Sequence, residues 1–169
     1  RQLEGIKTSC GLLSAMFKEL RPLVQVGVET RELDRWVQDW IKKAGGRPAF
    51  LGYGDDSNPF PAALCVSIND EVIHGIPSRR KIADGDLVSL DCGIDLDGYF
   101  SDMAITVPVG NASPEDRALV KVTEECLALG LAQVAHGNRI LQVSRAVYDH
   151  ARAHGYGVVR QYCGHGVGF

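Results

Sequence analysis

The sequence predicts an α/β chain of the α+β type, in which an order of two helices followed by strand occurs twice and the second occurrence stops short. Three observations carry this. Apolar residues recur at three-and-four spacing in three separate segments. Two alternating stretches flank Asp95-Leu96-Asp97-Gly98, the composition of a tight hairpin turn. The chain also aligns with itself when slid by 110 positions.

In the first helix, Ile6, Cys10, Leu13, Phe17 and Leu20 share one face, and Arg21-Pro22 ends the pattern. Thr30 is suited to cap a second helix whose Leu33, Val37, Trp40 (or Trp36), Ile41 and Ala44 form an apolar stripe, stopped by Gly45-Gly46. Phe50 to Pro61 is rich in Gly, Asp, Asn and Pro and reads as a loop. A short strand at Leu64 to Ile68 follows, and then two longer strands, Asp86 to Ile94 and Tyr99 to Val109. Ser113-Pro114-Glu115-Asp116 opens a third helix with a hydroxyl cap, a proline at the first helical position and acids in the first turn. It runs to about Val134. A fourth helix, from about Arg139 to His154, aligns Ile140, Val143, Val147 and Ala151, and Gly155 stops it before a short strand at Val158 to Tyr162.

The self-alignment matches Val24 with Val134, Gly27 with Gly137, Arg35 with Arg145, Val37 with Val147, Asp39 with Asp149, Gly45 with Gly155 and Gly54 with Gly164. Composition alone would give roughly two identities over such a window. The expected organisation is one domain over residues 1–169, with a first repeat at about 6–109 and an incomplete second repeat at about 113–169.

With 45% hydrophobic residues, 23% charged residues and a formal net charge of -3, the chain has the balance of an ordinary globular protein. Nothing in that balance draws it to nucleic acid or to an anionic membrane. No apolar run reaches the roughly 20 residues of a membrane span, and the first residues lack a signal-peptide profile, so the cytoplasm is the expected compartment. The five cysteines are scattered and never arranged as CxxC, which fits reduced and mostly buried thiols better than a disulfide framework or a zinc knuckle.

The hairpin carries the chemistry. A turn centred on Leu96-Asp97 places Asp91 directly opposite Asp102. Leu87, Ser89, Asp91 and Gly93 then share a face with Phe100, Asp102, Ala104 and Thr106, while Val88, Leu90, Cys92 and Ile94 meet Tyr99, Met103, Ile105 and Val107. Two acids opposed at about 5 Å repel. Either they lie on a solvated face that tolerates them, or one holds a proton, or divalent cations sit between them. His165, inside Gly164-His165-Gly166-Val167-Gly168, and His74, inside His74-Gly75-Ile76-Pro77, are imidazoles in glycine-bearing segments where backbone can approach a ligand closely. His74 is otherwise a plain loop histidine. His150 and His154 have a ligand spacing on one helix, but no acid partner is evident, and the pair reads as packing, as does His136. Cys163 beside His165 is poorly placed to act as a thiol nucleophile.

Together, the stretches Ser67 to Pro77, Asp84 to Asp91, Gly98 to Asp102 and Val158 to Gly168 resemble the type I methionine aminopeptidases in order and spacing, over almost the whole chain. The resemblance implies the duplicated pita-bread fold with a pseudo-twofold repeat, its second half truncated here. It implies two divalent metal ions (Co, Mn, Fe or Zn), with Asp91 a ligand of one, Asp102 a bridge between both and His165 a ligand of the other. It further implies that His74 contacts the scissile amide as a catalytic and substrate-binding residue, and that Cys65, Phe60 and Tyr53 line a methionine pocket, although the Tyr53 to Pro61 segment is longer than the usual family loop. The implied reaction is removal of N-terminal methionine by a metal-bridged hydroxide. The implied partners are peptides and nascent chains met at the ribosome, and the implied state is a monomer. The family completes its site with two glutamates and a further histidine beyond the region matched here, so these residues alone are expected to form an incomplete site. Asp91-Cys92-Gly93 and Gly98 to Asp102 are also similar to the Xaa-Pro peptidases, and a non-catalytic binding module is the remaining alternative.

Overall fold

A computed structural model describes residues 2–168, which divide into two compact units: residues up to 112 together with 166–168, and residues 113–165.

The first unit begins with α1 (Gln2–Leu20), a 3-10 turn at Arg21–Leu23, and α2 (Thr30–Lys43). Its sheet comprises β1 (Arg47–Pro48), β2 (Leu64–Ile68), β3 (Leu87–Leu96) and β4 (Tyr99–Pro108). All pairings are antiparallel. β4 runs the full length of β3 along one edge, while β2 pairs with Val88–Cys92 and β1 with Ile94–Asp95 along the other. Leu64, Val66, Ile68, Val88, Leu90, Cys92 and Ile94 form one buried face. Leu13, Met16, Phe17 and Leu20 of α1 and Leu33, Val37 and Ile41 of α2 pack into the same core. Each such side chain contributes about 1.5–3 kcal/mol by leaving water. The helices thus cover one side of the sheet and leave the other open.

Two polar anchors and one close packing contact fix the helices to the strands. Asp34 Oδ1, on α2, accepts hydrogen bonds from the N–H groups of Ala63 and Leu64 at 2.8 and 3.0 Å, which sets where β2 begins. The fully buried Ser9 hydroxyl of α1 lies 2.8 Å from that of Ser101, the residue before Asp102. Gly5 supplies the packing contact: a Cβ there would stand 2.5 Å from the Tyr99 ring, so glycine alone lets α1 lie against the start of β4.

Several details differ from expectation. The helix face buried by α1 includes Ser9 and leaves Cys10 exposed. Thr30 does not cap α2. Its hydroxyl bonds to the backbone of Ser78, and the Glu29 N–H is satisfied instead by Glu32 Oε2 at 3.0 Å. The turn is centred on Asp97-Gly98, not Leu96-Asp97. Both residues have positive φ, 54° and 83°, as a two-residue type I′ turn requires, and Asp95 Oδ1 accepts from Gly98 N–H at 2.8 Å to brace it. The register therefore slides by two: Asp91 pairs with Ala104, and Asp102 pairs with Gly93. A slide of two preserves the faces, because side chains alternate with a period of two.

The second unit is the hairpin of α3 (Pro114–Ala132) and α4 (Ile140–Ala153). Ser113 caps α3 as expected, accepting from Asp116 N–H at 3.0 Å. Val122, Cys126 and Ala151 form its small core with Val147 and Tyr156. Gly130 allows the helices to approach, since a Cβ there would meet Val147 at 3.1 Å. Ile140, expected on the packed face, is exposed. The expected strand at Val158 to Tyr162 does not form; those residues belong to no strand ladder among the described residues.

The internal repeat is visible in matching local geometry. α2 and α4 are each 14 residues long and begin 110 positions apart. Gly27 and Gly137 have φ of 89° and 87°, and Gly45 and Gly155 have φ of 82° and 81°. At both helix starts the side chain three residues in, Glu32 or Gln142, accepts from the backbone N–H of residue 29 or 139.

Candidate metal site on the open face of the sheet

The face of the sheet turned away from α1 and α2 carries Cys65 and Ser67 from β2, Ser89, Asp91 and Gly93 from β3, and Asp102, Ala104 and Thr106 from β4. Asp91 is half-buried and Asp102 is exposed. They are diagonal neighbours, for which β geometry sets a separation of about 7 Å. Direct opposition would have forced two carboxylates together; the diagonal leaves room for cations between them.

Cys65 is the direct partner of Asp91 on the opposite edge of β3. Its thiol is pushed up to about 12, first by burial and then by the negative charge of Asp91, Asp102 and Asp34. In the metal-free protein it therefore stays protonated at neutral pH and lines the site as a neutral wall. The same potential that disfavours a thiolate favours a cation, so a hard or borderline divalent ion with oxygen ligands fits this donor set. Cys92 is pushed up as well, chiefly by burial, but it lies on the core face and donates to Ala63 O.

His74 is exposed and holds a left-handed φ of 59°. Its neighbour Gly75 clamps this strained position to β2: the Gly75 N–H donates to Ser67 Oγ at 3.0 Å and the Gly75 carbonyl accepts from Val66 N–H at 2.9 Å. A Cβ on Gly75 would stand 2.2 Å from Val66 O. The glycine is needed for close approach, and it fastens His74 at the border of the face that bears Cys65 and Asp91.

Tyr53 and Phe60 lie in the long loop, closed on itself by Phe60 N–H to Tyr53 O at 2.8 Å and Gly52 N–H to Phe60 O at 2.9 Å. Tyr53 is largely exposed and Phe60 half-buried. Phe50 was not singled out in the sequence. It lies against Gly93 on the open face, where a Cβ at position 93 would meet its ring at 2.9 Å. The readable signal was Gly93 itself, a glycine inside a strand, which often marks close approach of another group. His165 is exposed, in the glycine-rich stretch of the second unit. The first unit by itself brings Asp91, Asp102 and Cys65 onto one face.

The acid partner missing from the sequence reading of His150 and His154 is Glu125 of α3, whose Oε2 lies 2.8 Å from His150 Nε2.

The chain resembles known proteins in sequence and in fold. The chain is 53% identical over 167 residues to a methionine aminopeptidase of Treponema pallidum, covering 99% of this chain and 64% of that protein. The crystal structure of a methionine aminopeptidase from Thermotoga maritima superposes with a TM-score of 0.93 at 33% identity, over 99% of this chain and 66% of that one. A prolidase from Pyrococcus furiosus shares the fold, with a TM-score of 0.85 at 23% identity, 99% of this chain and 47% of that one. The chain thus spans just under two thirds of the methionine aminopeptidases it matches. The family model described as metallopeptidase family M24 matches residues 4–169, and the chain belongs to that family.

Proposed function

We propose that the protein removes the N-terminal methionine from peptides and nascent chains, with divalent metal ions held by Asp91, Asp102 and His165. What carries this reading is the placement of Asp91 and Asp102 on one open face beside the protonated, buried thiol of Cys65. When bound, the ions supply Lewis-acid activation of water and of the peptide carbonyl. In this proposal Asp102 would serve both ions, Asp91 would serve one and His165 the other, whether the metal is Co, Mn, Fe or Zn.

His74 is the proposed catalytic contact to the scissile amide. Its role is to hold that amide and to donate a hydrogen bond as negative charge develops on the carbonyl oxygen. The Gly75 clamp keeps it from retreating. Cys65, Tyr53 and Phe60 are proposed to receive the methionine side chain: a neutral thiol and two aromatic rings suit a flexible thioether, and sulfur–aromatic contacts add modest attraction. We treat residues 1–169 as part of one duplicated domain acting as a monomer in the cytoplasm, meeting its substrates at the ribosome. Among the described residues no helix is long and apolar enough to cross a membrane.

The test is release of methionine from Met-Ala-Ser, against cleavage of Ala-Pro-Ser, by the complete gene product supplied with Mn²⁺. Release from Met-Ala-Ser is expected. Preference for the Xaa-Pro peptide would transfer the assignment to that branch of the family, and cleavage of neither would leave a binding module.

A further inference from the structure

In the second unit, the α3–α4 hairpin gathers three metal-ligating side chains: Glu125, His150 and His154. Each presents one ligand atom, and the three atoms lie within 4.8 Å of one another. We propose that Glu125, His150 and His154 form a second, separate binding site for a borderline divalent cation of the zinc type, which clasps α3 to α4.

Helical geometry supplies the pair. Residues at i and i+4 stand one above the other on a helix face, so His150 and His154 point the same way, and their rings lie 4.4 Å apart between centroids. The helix–helix contact supplies the third ligand, because Cys126 and Ala151, next to Glu125 and His150, are buried in the same small core. The hydrogen bonds already in place suit ligation. His154 Nδ1 is 2.9 Å from the carbonyl oxygen of His150, which can only accept, so the proton resides on Nδ1 and the Nε2 lone pair is available. A ligating histidine characteristically donates its other ring N–H in this way, which fixes the ring and its tautomer. His150 Nε2 and Glu125 Oε2 already sit 2.8 Å apart. Opening that pair by a few tenths of an ångström lets both flank an ion with ligand distances of about 2.0–2.2 Å, the shared proton leaving as the ion enters.

The electrostatics point the same way. Glu125 contributes the acidic side chain of the donor set, and its Oε2 is the oxygen turned to His150. Lys121 is the opposing cation, but at 3.9 Å it faces Oε1, the oxygen turned away from the histidines. All three residues are half-buried or exposed, so an ion has access and water completes its coordination. Two imidazoles and one carboxylate with an open fourth position form a donor set that zinc accepts readily, whereas magnesium and calcium prefer oxygen ligands throughout.

The experiment titrates ZnCl₂ into the 169-residue protein and follows the imidazole resonances of His150 and His154 by ¹H–¹⁵N correlation NMR. Both are expected to shift together and saturate, and His154→Gln is expected to weaken that response about tenfold or more. Glu125→Gln keeps an acceptor opposite His150 and removes the charge; it must weaken zinc binding in the same way, which covers the case of a His154 variant that does not fold. Asp102→Asn, which alters only the other site, must leave the response intact. The proposal is overturned if the two imidazoles ignore zinc, or if their response survives both His154→Gln and Glu125→Gln.

Discussion

Cys65 stands directly across from Asp91, on the edge of β3 opposite the strand that carries Asp102. A thiol in that position measures the negative potential of the carboxylates without taking part in the chemistry. Its value of about 12 implies a thiolate fraction at pH 8 roughly a thousandfold smaller than that of a thiol at the ordinary 9.0. With metal chelated, iodoacetamide at pH 8 is therefore expected to label the exposed Cys10 and Cys163 long before Cys65, as read by peptide-mapping mass spectrometry. Asp91→Asn should speed labelling of Cys65 only partly, because burial is the larger cause. Labelling of Cys65 as fast as Cys10 would show that the carboxylates do not bear on it.

The same thiol makes stability fall with rising alkalinity. Below about 9, the ordinary value of this thiol, both the folded and the unfolded chain keep its proton. Between about 9 and 12 the unfolded chain loses the proton and the folded one retains it, so unfolding is favoured as pH rises, by at most about 1.4 kcal/mol per pH unit from this group. Urea melts of the metal-free protein at successive pH values should show a shallower loss for Cys65→Ala than for the parent. Equal slopes would mean that Cys65 ionises in the folded protein as it does in the unfolded chain.

Gly75 and Gly27 separate two reasons for using glycine. At Gly75 an added Cβ meets backbone, Val66 O at 2.2 Å and Ser67 Cα at 2.9 Å, and neither can yield without breaking the clamp on β2. At Gly27 there is open space but a φ of 89°. Gly75→Ala is expected to cost about 2–4 kcal/mol, and Gly27→Ala about 1 kcal/mol. Equilibrium denaturation ranks them, and the reverse order would refute the close-approach reading of Gly75.

The faces of the sheet were legible in the sequence and the partners across it were not, for one reason. Alternation fixes which side chains share a face, and any register error of two leaves that set intact, so Asp91 and Asp102 come out together even with the turn misplaced by one residue. Fixing the partners needed the positive φ at Asp97 and Gly98, and one Asp-Gly pair among several plausible turn residues does not announce its dihedral angles. The repeat was legible because its glycines have to recur where helices stop. Glu125 was not, because it lies 25 positions before His150 on another helix, and only the packing around Cys126 and Ala151 brings the two helices into contact. Phe50 escaped similarly: a loop aromatic acquires meaning only once Gly93 is seen to make room for it.

The two proposed roles on the open face separate cleanly by substitution in the complete protein. Asp102 is exposed on the edge strand, where Asn has the same shape and the same strand register, so Asp102→Asn should fold normally and lose only a negative donor. A bridging carboxylate contributes to both ions at once, so metal content by plasma emission and methionine release should fall together. His74, proposed to touch substrate and not metal, should behave differently: His74→Ala should retain its metal while kcat for Met-Ala-Ser drops about 10²–10³-fold, the usual loss when one donor to a developing oxyanion is removed. KM should move less than kcat, because the bond in question tightens only as charge develops. Metal content unchanged in Asp102→Asn would remove the bridging role, since an oxygen shared by two ions cannot become a neutral amide without weakening both.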